Sequence, residues 1–298
     1  IESLDINPLI ARNDGTLVAV DALIEIGRQH TEPTDQLQKE FTPTKKHFDA
    51  LFNPRAIVVI GASSHPGKFG FVSLHNALAN NFKGQVFATN LQQENILGVQ
   101  TVADLAELPV GEIDLAFFCT PASSNEALLK QCSQLGISSA FIASAGYRES
   151  GEAGEVAEAS LLKLANSLGM LIAGPNGQGV VSTPASLCLQ IVAPYPPQGG
   201  ISVASQSGNF VSSFLNYAKQ SGVGIARAIS AGNATQVSVE NFLNYFASDD
   251  ETKVALTYIE NVGNGESLLR AMRNITAVKP LVVLKGGATA AGSKAAQS

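Results

Sequence analysis

Between residue 52 and the C-terminal tail, short apolar runs rich in β-branched residues alternate with amphipathic helical patterns. The apolar runs with strand character lie at residues 56–60, 85–89, 115–119, 139–142 and 171–173. The helical patterns between them cover residues 69–80, 123–135 and 152–168. This alternation predicts a parallel sheet with helices on both faces, and it places ligands at the carboxyl ends of the strands.

A second series of the same kind follows the Pro-rich segment at residues 194–197. Its predicted strands are residues 201–204, 225–229, 254–259 and 281–284. Its predicted helices are one that ends at residue 221 and two that cover residues 239–247 and 266–275. We therefore predict an α/β chain with two doubly wound domains in succession.

The composition is that of a globular protein, because 45% of the 298 residues are hydrophobic and can form two cores. The net charge of −6 argues against a general electrostatic grip on nucleic acid or on anionic membranes. No apolar run reaches the roughly 18 residues that span a bilayer. Cys119, Cys132 and Cys188 fit no metal-binding spacing, so we expect reduced thiols and a cytoplasmic location.

Small and polar residues form the turns that follow the strands of the first series. The first turn has the strand-turn-helix context of a dinucleotide-binding loop, but Ala62 and Ser63 depart from the G-x-G start of that fingerprint. Asn90 follows the second strand, where a nicotinamide enzyme usually carries an acidic residue. Both departures argue against NAD and leave a phosphate-bearing, nucleotide-like ligand, with tight turns that bind nothing as the alternative. The candidate ligand-binding residues are Gly61, Ser63, Ser64, Lys68, Asn90, Thr120, Pro121, Ser144, Ala145 and Gly146.

The second series opens with a short apolar strand that runs through a Ser-x-Ser-Gly turn directly into a helical pattern. Such a turn presents hydroxyls, backbone N–H groups and a helix N-terminus, which together favour an anion. We predict a phosphoryl site at Ser205, Gln206, Ser207 and Gly208. Asn176, which follows a rigid Gly-Pro turn after the fifth strand, is a further candidate ligand contact.

Glu260 is an acidic residue at the carboxyl end of an otherwise apolar strand, and it is a candidate catalytic residue there. A solvated or structural acid is the alternative. All four histidines, His30, His47, His65 and His75, precede the second series, so no Ser-His-Asp or metal site can be built within it from the residues present. Its serines also lack the G-x-S-x-G elbow of a nucleophile.

Five segments occur in a fixed order along the chain. They are I-V-V-I-G-A-S at residues 57–63, G-P-N at 174–176, V-A-S-Q-S-G at 203–208, G-N at 232–233 and Y-I-E-N at 258–261. In this order they resemble the NDP-forming acyl-CoA synthetases, the superfamily of succinyl-CoA synthetase and the ADP-forming acetyl-CoA synthetases. The resemblance implies a Rossmann-like CoA-binding domain at residues 53–193 and a flavodoxin-like ligase domain at residues 194–298. It adds Gly232 and Asn233 to the phosphate and acyl site.

Residues 1–27 have the pattern of a β-hairpin with an Asp-Gly turn, followed by a polar linker at residues 28–52 with one short helix predicted at 35–41. The hairpin resembles the end of the family's ATP-grasp domain, in which an Asn and an Asp hold Mg²⁺. Asn7 and Asp21 match those two positions, and oxygen ligands suit this ion. The resemblance implies a longer polypeptide that contains the rest of the nucleotide module.

The activity implied by the resemblance is the conversion of a carboxylic acid, ATP and CoA into acyl-CoA, ADP and phosphate, through an acyl phosphate and a phosphohistidine. Glu260 would orient that histidine, which is expected directly after Ser298, and residues 205–208 would receive the phosphoryl group. Gly177 departs from the family, which commonly has cysteine there. The implied partners are a small carboxylic acid, CoA, ATP or ADP and the missing ATP-grasp region, and we expect a homo-oligomer.

Two other functions remain open from the sequence. The first is an inactive, CoA-binding regulatory module of the kind that is fused to protein lysine acetyltransferases. The second is a Rossmann-type dehydrogenase, which would bind NAD(H) in competition with CoA and against which Asn90 counts.

Overall fold

The computed structural model describes residues 3–6, 9–12, 14–19, 22–25, 41–192 and 194–286. These residues fall into two compact units, Ile1–Glu40 and Phe41–Ser298. The strands of the first unit are β1 (Ser3–Ile6), β2 (Leu9–Ala11), β3 (Leu17–Ala19) and β4 (Ala22–Glu25). Strand β1 pairs with β4 and β2 with β3, both antiparallel, as the hairpin pattern predicts.

The turn of this hairpin is held by Asp14. Its Oδ1 accepts hydrogen bonds from the backbone N–H of Thr16 at 2.9 Å and from the hydroxyl of Thr16 at 2.7 Å. These two bonds close the predicted Asp-Gly turn. Asn7 and Asp21, the predicted magnesium ligands, lie outside the described residues, as do residues 35–40 of the predicted short helix.

The first sheet of the second unit is parallel throughout, with the order β11-β10-β9-β5-β6. The elements of this region, in chain order, are α1 (Lys45–Phe52), β5 (Ala56–Ile60), α2 (Phe69–Ala79), β6 (Gln85–Thr89), β7 (Asn95–Ile96), β8 (Val99–Gln100), β9 (Leu115–Phe118), α3 (Ala122–Gln134), β10 (Ser139–Ile142), α4 (Glu152–Leu168) and β11 (Leu171–Ala173). Strands β7 and β8 form a separate two-residue hairpin. The five predicted strands and three predicted helices all occur, with ends within one residue of those predicted.

Strand β5 shows why this sheet must be covered on both faces. Ile57 and Val59 pack into one buried cluster, while Val58 and Ile60 pack into another on the opposite face. Because successive side chains of a strand point to opposite faces, a run of four apolar residues buries both. Burial of each such side chain contributes about 1.5–3 kcal/mol.

The second sheet has the order β13-β12-β15-β14-β16-β17. Its elements are β12 (Gly179–Ser182), β13 (Leu187–Gln190), β14 (Gln198–Ser205), α5 (Gly208–Ser221), β15 (Ile225–Ser230), α6 (Val239–Ser248), β16 (Val254–Ile259), α7 (Gly265–Thr276) and β17 (Leu281–Lys285). The last four strands are parallel in the order β15-β14-β16-β17, which is the start of the flavodoxin-like arrangement. Strand β12 is antiparallel to both of its neighbours.

Two elements from before residue 194 pack against the second sheet or its helices. The hairpin β12–β13, which lies in the residue range assigned above to the first domain, extends that sheet through the pairing of β12 with β15. Helix α1, in the segment assigned to the linker, stacks the rings of Phe48 and Phe52 on Tyr245 of α6, with centroids 5.3 and 5.4 Å apart. The chain therefore passes from one sheet to the other between β11 and β12.

A buried ion pair joins Arg227 of β15 to Asp249, which are 1% and 6% exposed, with an N–O distance of 3.3 Å. The guanidinium also donates to Asn53 Oδ1 at 2.8 Å and to the hydroxyl of Ser182. Thr252 Oγ1 donates to Asp249 at 2.7 Å. Burial acts to raise the pKa of Asp249, but the hydrogen bonds from Arg227 and Thr252 outweigh it, so that pKa is lowered.

Candidate active site

The turn predicted to bind a phosphoryl group connects β14 to α5. Ser205 is buried, and its Oγ accepts the N–H of Ser207 at 3.0 Å and donates to the carbonyl of Ser207 at 2.8 Å. Ser207 caps α5, because its side-chain oxygen accepts the N–H of Phe210 at 3.4 Å. The two hydroxyls thus hold the turn. The backbone N–H groups of the first turn of α5, which begins at Gly208, favour an anion at the N-terminus of this helix.

The side chain of Gln206 connects this turn to the loop after β16. Its Oε1 accepts the backbone N–H groups of Glu260 and Asn261 at 2.7 and 2.9 Å, and its Nε2 donates to the carbonyl of Asn261 at 2.8 Å. The sequence predicted a phosphate contact for Gln206. The structure instead gives its amide three bonds to the Glu260 loop.

Glu260 itself is partly exposed at the carboxyl end of β16. Lys285 donates to its backbone carbonyl at 2.7 Å, and within the described residues the Glu260 carboxylate forms no ion pair. Tyr258 stacks on Phe210 at a centroid distance of 4.8 Å. Desolvation and, next, the charge of Glu260 raise the pKa of Tyr258. The Glu260 carboxylate therefore lies within hydrogen-bonding reach of the Tyr258 hydroxyl.

The loop after β11 meets the loop after β15. Asn176 is exposed with φ +57°, and its N–H donates to the carbonyl of Ser144 at 3.0 Å. A Cβ atom at Gly232 would lie 2.2 Å from the carbonyl oxygen of Pro175, so no other residue fits that approach. Asn233 donates its N–H to the same carbonyl at 2.8 Å. Three of the predicted site residues, Asn176, Gly232 and Asn233, are thus held at one place.

A cavity of about 290 Å³ opens where the carboxyl ends of the two sheets face each other. Ala145 lines it from the first sheet, Asn176 from the loop after β11, and Ser207 and Gly208 from the start of α5. Its position follows the rule that ligands of parallel sheets bind beyond the carboxyl ends of the strands. A ligand there touches both the predicted CoA-binding edge and the predicted phosphoryl site.

Gln178 is a residue of this cavity that the sequence analysis did not select. Its Nε2 donates to Asn209 Oδ1 at 3.0 Å, and its Oε1 accepts the hydroxyl of Ser212. A Cβ atom at Gly208 would lie 2.5 Å from Gln178 Cγ, so glycine is required for this contact. Gln178 therefore fixes the loop after β11 against the first turns of α5.

The first turn of the first βα series has the geometry of a close backbone approach. Gly61 has φ +82°, and a Cβ atom there would lie 2.8 Å from Thr120 Cγ2. The hydroxyl of Ser63 accepts the N–H of His65 at 3.1 Å, which shapes the turn. Ser64 and Lys68 are exposed, with Lys68 at the N-cap of α2. A helix N-terminus, an exposed hydroxyl and an amine suit a phosphate group.

Asn90 braces this turn from the neighbouring strand. Its Nδ2 donates to the carbonyl of Ala62 at 2.9 Å, and its Oδ1 accepts the N–H of Gln92 at 2.9 Å. Both ends of the amide are therefore used within the protein, which gives Asn90 a positioning role.

The third and fourth turns are connected through Asn125 of α3, which is fully buried. Its Oδ1 accepts the hydroxyl of Thr120 at 2.8 Å, and its Nδ2 donates to Ser144 Oγ at 3.0 Å and to the hydroxyl of Tyr147 at 2.8 Å. Two predicted ligand contacts, Thr120 and Ser144, are thus oriented by a residue that the sequence analysis missed. Two further predicted contacts, Pro121 at the N-cap of α3 and Gly146 with φ +104°, are exposed at the same edge.

An acidic cluster fixes the loop after β15 to helix α4. Glu158, 5% exposed, accepts hydrogen bonds from Asn233 Nδ2 at 2.8 Å and from the hydroxyl of Thr235, and Arg148 lies 3.6 Å from it. Asn233 also donates to Glu149 at 2.7 Å. Burial acts to raise the pKa of Glu149, but the bonds from Asn233 and from backbone N–H groups outweigh it and lower that pKa. Asn233 is therefore anchored by its side chain rather than free to contact a ligand.

Comparisons with known proteins agree with this geometry. Residues 55–183 match the family model described as a CoA binding domain, and residues 198–298 match the one described as a succinyl-CoA ligase like flavodoxin domain. Acetate–CoA ligase (ADP-forming) I of Archaeoglobus fulgidus is 34% identical over 250 residues, which are 84% of this chain and 36% of that protein. These matches show that most of the chain is similar in sequence to ADP-forming CoA ligases.

A second ADP-forming CoA ligase, acetate–CoA ligase II of Archaeoglobus fulgidus, is 31% identical over 301 residues, which cover 100% of this chain and 43% of the ligase. The chain thus spans less than half the length of these two ligases. Among solved structures, the dinucleotide-forming acetyl-coenzyme A synthetase 1 of Ca. Korarchaeum cryptofilum, in complex with phosphate and ADP, matches with a TM-score of 0.79 and 30% identity. That match covers 84% of this chain and 54% of the synthetase chain.

Gly177, where the family resemblance led us to expect cysteine, lies in a space with no room for a side chain. A Cβ atom there would lie 2.6 Å from Phe141 Cζ and 2.8 Å from the carbonyl oxygen of Ser230. The ring of Phe141 thus accounts for the glycine.

In the described part of the chain, no helix is both long and apolar enough to cross a membrane.

Proposed function

We propose that this chain is part of an ADP-forming acyl-CoA synthetase that converts a carboxylic acid, ATP and CoA into acyl-CoA, ADP and phosphate. The observation that carries the proposal is the cavity between the two sheets. There the N-terminus of α5 and the edge lined by Ala145 face the same space, so a phosphoryl group and a thiol can meet at one acyl carbon.

In the proposed reaction, a histidine that follows Ser298 carries the phosphoryl group from ATP to the carboxylate, and ADP is released. The sulfur of CoA then attacks the acyl carbon of the acyl phosphate. A C–S bond forms, the C–O bond to the phosphoryl group breaks, and phosphate leaves with the electron pair. The thiol proton passes to the departing phosphate or to solvent.

Each part of the candidate active site has a physical role in this reaction. The N-terminus of α5, with the turn at residues 205–208, stabilises the phosphoryl group and the phosphate that leaves. Glu260 accepts a hydrogen bond from the phosphorylated histidine's ring and orients it. Ser64 and Lys68 hold the phosphates of CoA, with Gly61 permitting their close approach. Asn7 and Asp21 would hold Mg²⁺ through their side-chain oxygens, and the ion would neutralise charge on the nucleotide phosphates.

The experiment uses the full-length protein and measures ADP release in the presence of ATP, Mg²⁺, CoA and a series of carboxylic acids. We expect release that requires both CoA and an acid, and an acid-labile phosphate on the protein with ATP alone. Glu260→Gln lowers that phosphate at least tenfold, whereas Glu266→Gln, at an exposed position of α7, leaves it unchanged. Absence of acid-labile phosphate in the intact protein contradicts the mechanism.

Binding of CoA to the chain by itself tests the CoA-binding part of the proposal. Because a ligand that binds only the folded state raises the melting temperature, we expect CoA to stabilise it in a concentration-dependent manner. Stabilisation by CoA without any ADP release from the full-length protein would instead favour a CoA-binding regulatory module.

A further inference from the structure

Two polar side chains, those of Gln190 and Ser230, are buried close to the cavity without a hydrogen-bond partner among the described residues. Gln190 is 0% exposed and Ser230 is 1% exposed. Both atoms of the Gln190 amide and the Ser230 hydroxyl are unpaired. Since an unpaired buried polar group is costly, native proteins give nearly all such groups a protein, water or ligand partner.

The two residues lie in one row across the second sheet. Ser230 pairs with Ser205 between β15 and β14, and Gln190 pairs with Gly179 between β13 and β12. Because β12 lies beside β15, the row runs from the phosphoryl turn through Ser230 and Gly179 to Gln190. Gly179 has no side chain, so nothing from β12 separates the two polar groups.

The row faces the same side of the sheet as α5. Val203 and Ala228, two residues before Ser205 and Ser230, pack with Val211 of α5 in one buried cluster. Since side chains two residues apart on a strand share a face, Ser205 and Ser230 lie on the α5 side, near its N-terminus. The row spans three strand spacings, or about 14 Å. A short ligand and the side chains that contact it fit within this distance.

The cavity wall next to this row comes from the sequence neighbours of its residues. Gln178 precedes Gly179, and Ile191 follows Gln190; both line the cavity. The N–H of Ile191 donates to the carbonyl of Gln178 at 3.0 Å. Phe69 adds an apolar side to the cavity. None of the described residues that line it is charged.

We propose that Gln190 and Ser230 form the polar floor of the acid-substrate subsite, and that the acid bears a hydroxyl group on its tail. This inference rests on the proposed function. The carboxyl group lies at the N-terminus of α5, and the carbon chain lies along Phe69 and Ile191. Gln190 and Ser230 lie beneath the residues that line the cavity, so the hydroxyl reaches them when the partly exposed side chain of Gln178 turns away from Asn209 and Ser212.

The chemistry of the floor selects a hydroxyl group over the alternatives. An amide and a hydroxyl both donate and accept hydrogen bonds, and so does the hydroxyl of an acid. A second carboxylate would need a cation, and no charged side chain lines the described cavity. An alkyl tail would leave the floor unpaired, and sites built to bind a hydroxyl reject analogues that lack it.

The test compares pairs of acids in which a methyl group replaces the hydroxyl, using ADP release by the full-length protein. The pairs are 3-hydroxypropanoate with butanoate and 4-hydroxybutanoate with pentanoate, and acetate is the reference. For at least one pair we expect kcat/KM to favour the hydroxy acid at least tenfold. Gln190→Met lowers this preference to less than about threefold, and Ser230→Ala acts in the same direction. Gln134→Met, at an exposed position of α3, leaves the preference unchanged.

The outcomes separate this inference from the proposed function. ADP release with acetate or alkyl acids, but no preference for either hydroxy acid, overturns the polar floor and leaves the synthetase activity standing. A preference that persists in both Gln190→Met and Ser230→Ala also overturns it. No ADP release with any acid overturns both proposals. Ser230→Ala removes a single oxygen atom, so it decides the question even where Gln190→Met fails to fold.

Discussion

Gln206 accepts the backbone N–H of Glu260 at 2.7 Å, across two neighbouring parallel strands. The bond fixes the position of the Glu260 backbone relative to the turn that begins α5. Because the same amide also makes two bonds to Asn261, the loop after β16 cannot move away from this turn without breaking all three. The Gln206 side chain, together with the pairing of Ser205 with Tyr258, therefore sets the distance between the candidate acid and the candidate phosphoryl site.

Gln206→Leu is expected to lower ATP-dependent phosphorylation of the full-length protein about tenfold, because it frees the loop that carries Glu260. The loss of partly exposed hydrogen bonds lowers the free energy of unfolding by about 1–2 kcal/mol. CoA affinity stays within twofold, since the first sheet is untouched. Gln220→Leu, at an exposed position near the end of α5, is the matched control. An unchanged rate of phosphorylation in Gln206→Leu argues against the positioning role.

Asn125→Leu is expected to weaken CoA binding about tenfold, because Thr120 and Ser144 lose the amide that orients their hydroxyls. Tyr147→Phe removes only the 2.8 Å bond from the same amide and leaves both hydroxyls held, so CoA affinity stays within twofold. Isothermal titration calorimetry with CoA compares the two variants. Equal weakening in both would show that the effect comes from loss of packing rather than from orientation of Thr120 and Ser144.

The strands and helices of both βα series could be predicted from sequence because each has a local signal. Strand β5 is a run of apolar, mostly β-branched residues, and α4 begins and ends at the predicted residues 152 and 168. The hairpin β12–β13 gives no such signal, since each strand has four residues and β12 pairs with the distant β15. Helix α1 was missed because its apolar side is defined by contact with α6, almost 200 residues later in the chain.

The sequence predicted where the turns of the candidate site lie, but not which groups each of their side chains contacts. Residues at the carboxyl ends of the strands do meet, since parallel strands bring those ends to one edge. The bonds of Gln206 and Asn90 depend on which neighbouring loop each amide reaches, and that is a tertiary property. Asn125 had a signal that could have been used, because it lies on the buried face of α3 with Leu129 and Cys132 at helical spacing.

Asp249→Asn is expected to destabilise the protein at neutral pH and to make its stability less sensitive to acid. In the folded state the pKa of Asp249 is lowered, so its ionised form contributes stability above the unfolded pKa of about 3.9, and this is lost as the pH falls through the folded pKa. The variant also leaves Arg227 buried without its charged partner, which costs about 3–5 kcal/mol.

Denaturant unfolding at pH 7, 4 and 3 checks this expectation. The exposed neighbour Asp250→Asn is the control and should follow the wild-type curve. If Asp249→Asn loses as much stability between pH 4 and pH 3 as the wild type does, Asp249 is not a source of the acid sensitivity.

Gly232→Ala is expected to disrupt the active site, because two independent constraints require glycine there. The residue has φ +57°, and a Cβ atom would lie 2.2 Å from the carbonyl oxygen of Pro175, a backbone atom that cannot turn aside. The loop must therefore move away from Asn176 and open the wall of the cavity. We expect at least a tenfold loss of ADP release.

Gly222→Ala is the matched control for this change. Gly222 also has a positive φ, +75°, but no atom lies within 4 Å of the position that its Cβ would take. The control thus carries only the cost of left-handed backbone, about 1–2 kcal/mol, without the clash. ADP release and the midpoint of thermal unfolding, measured on both variants, separate the two effects. If Gly232→Ala and Gly222→Ala lower the melting temperature equally and both retain full turnover, the contact of Gly232 with Pro175 does not position the site.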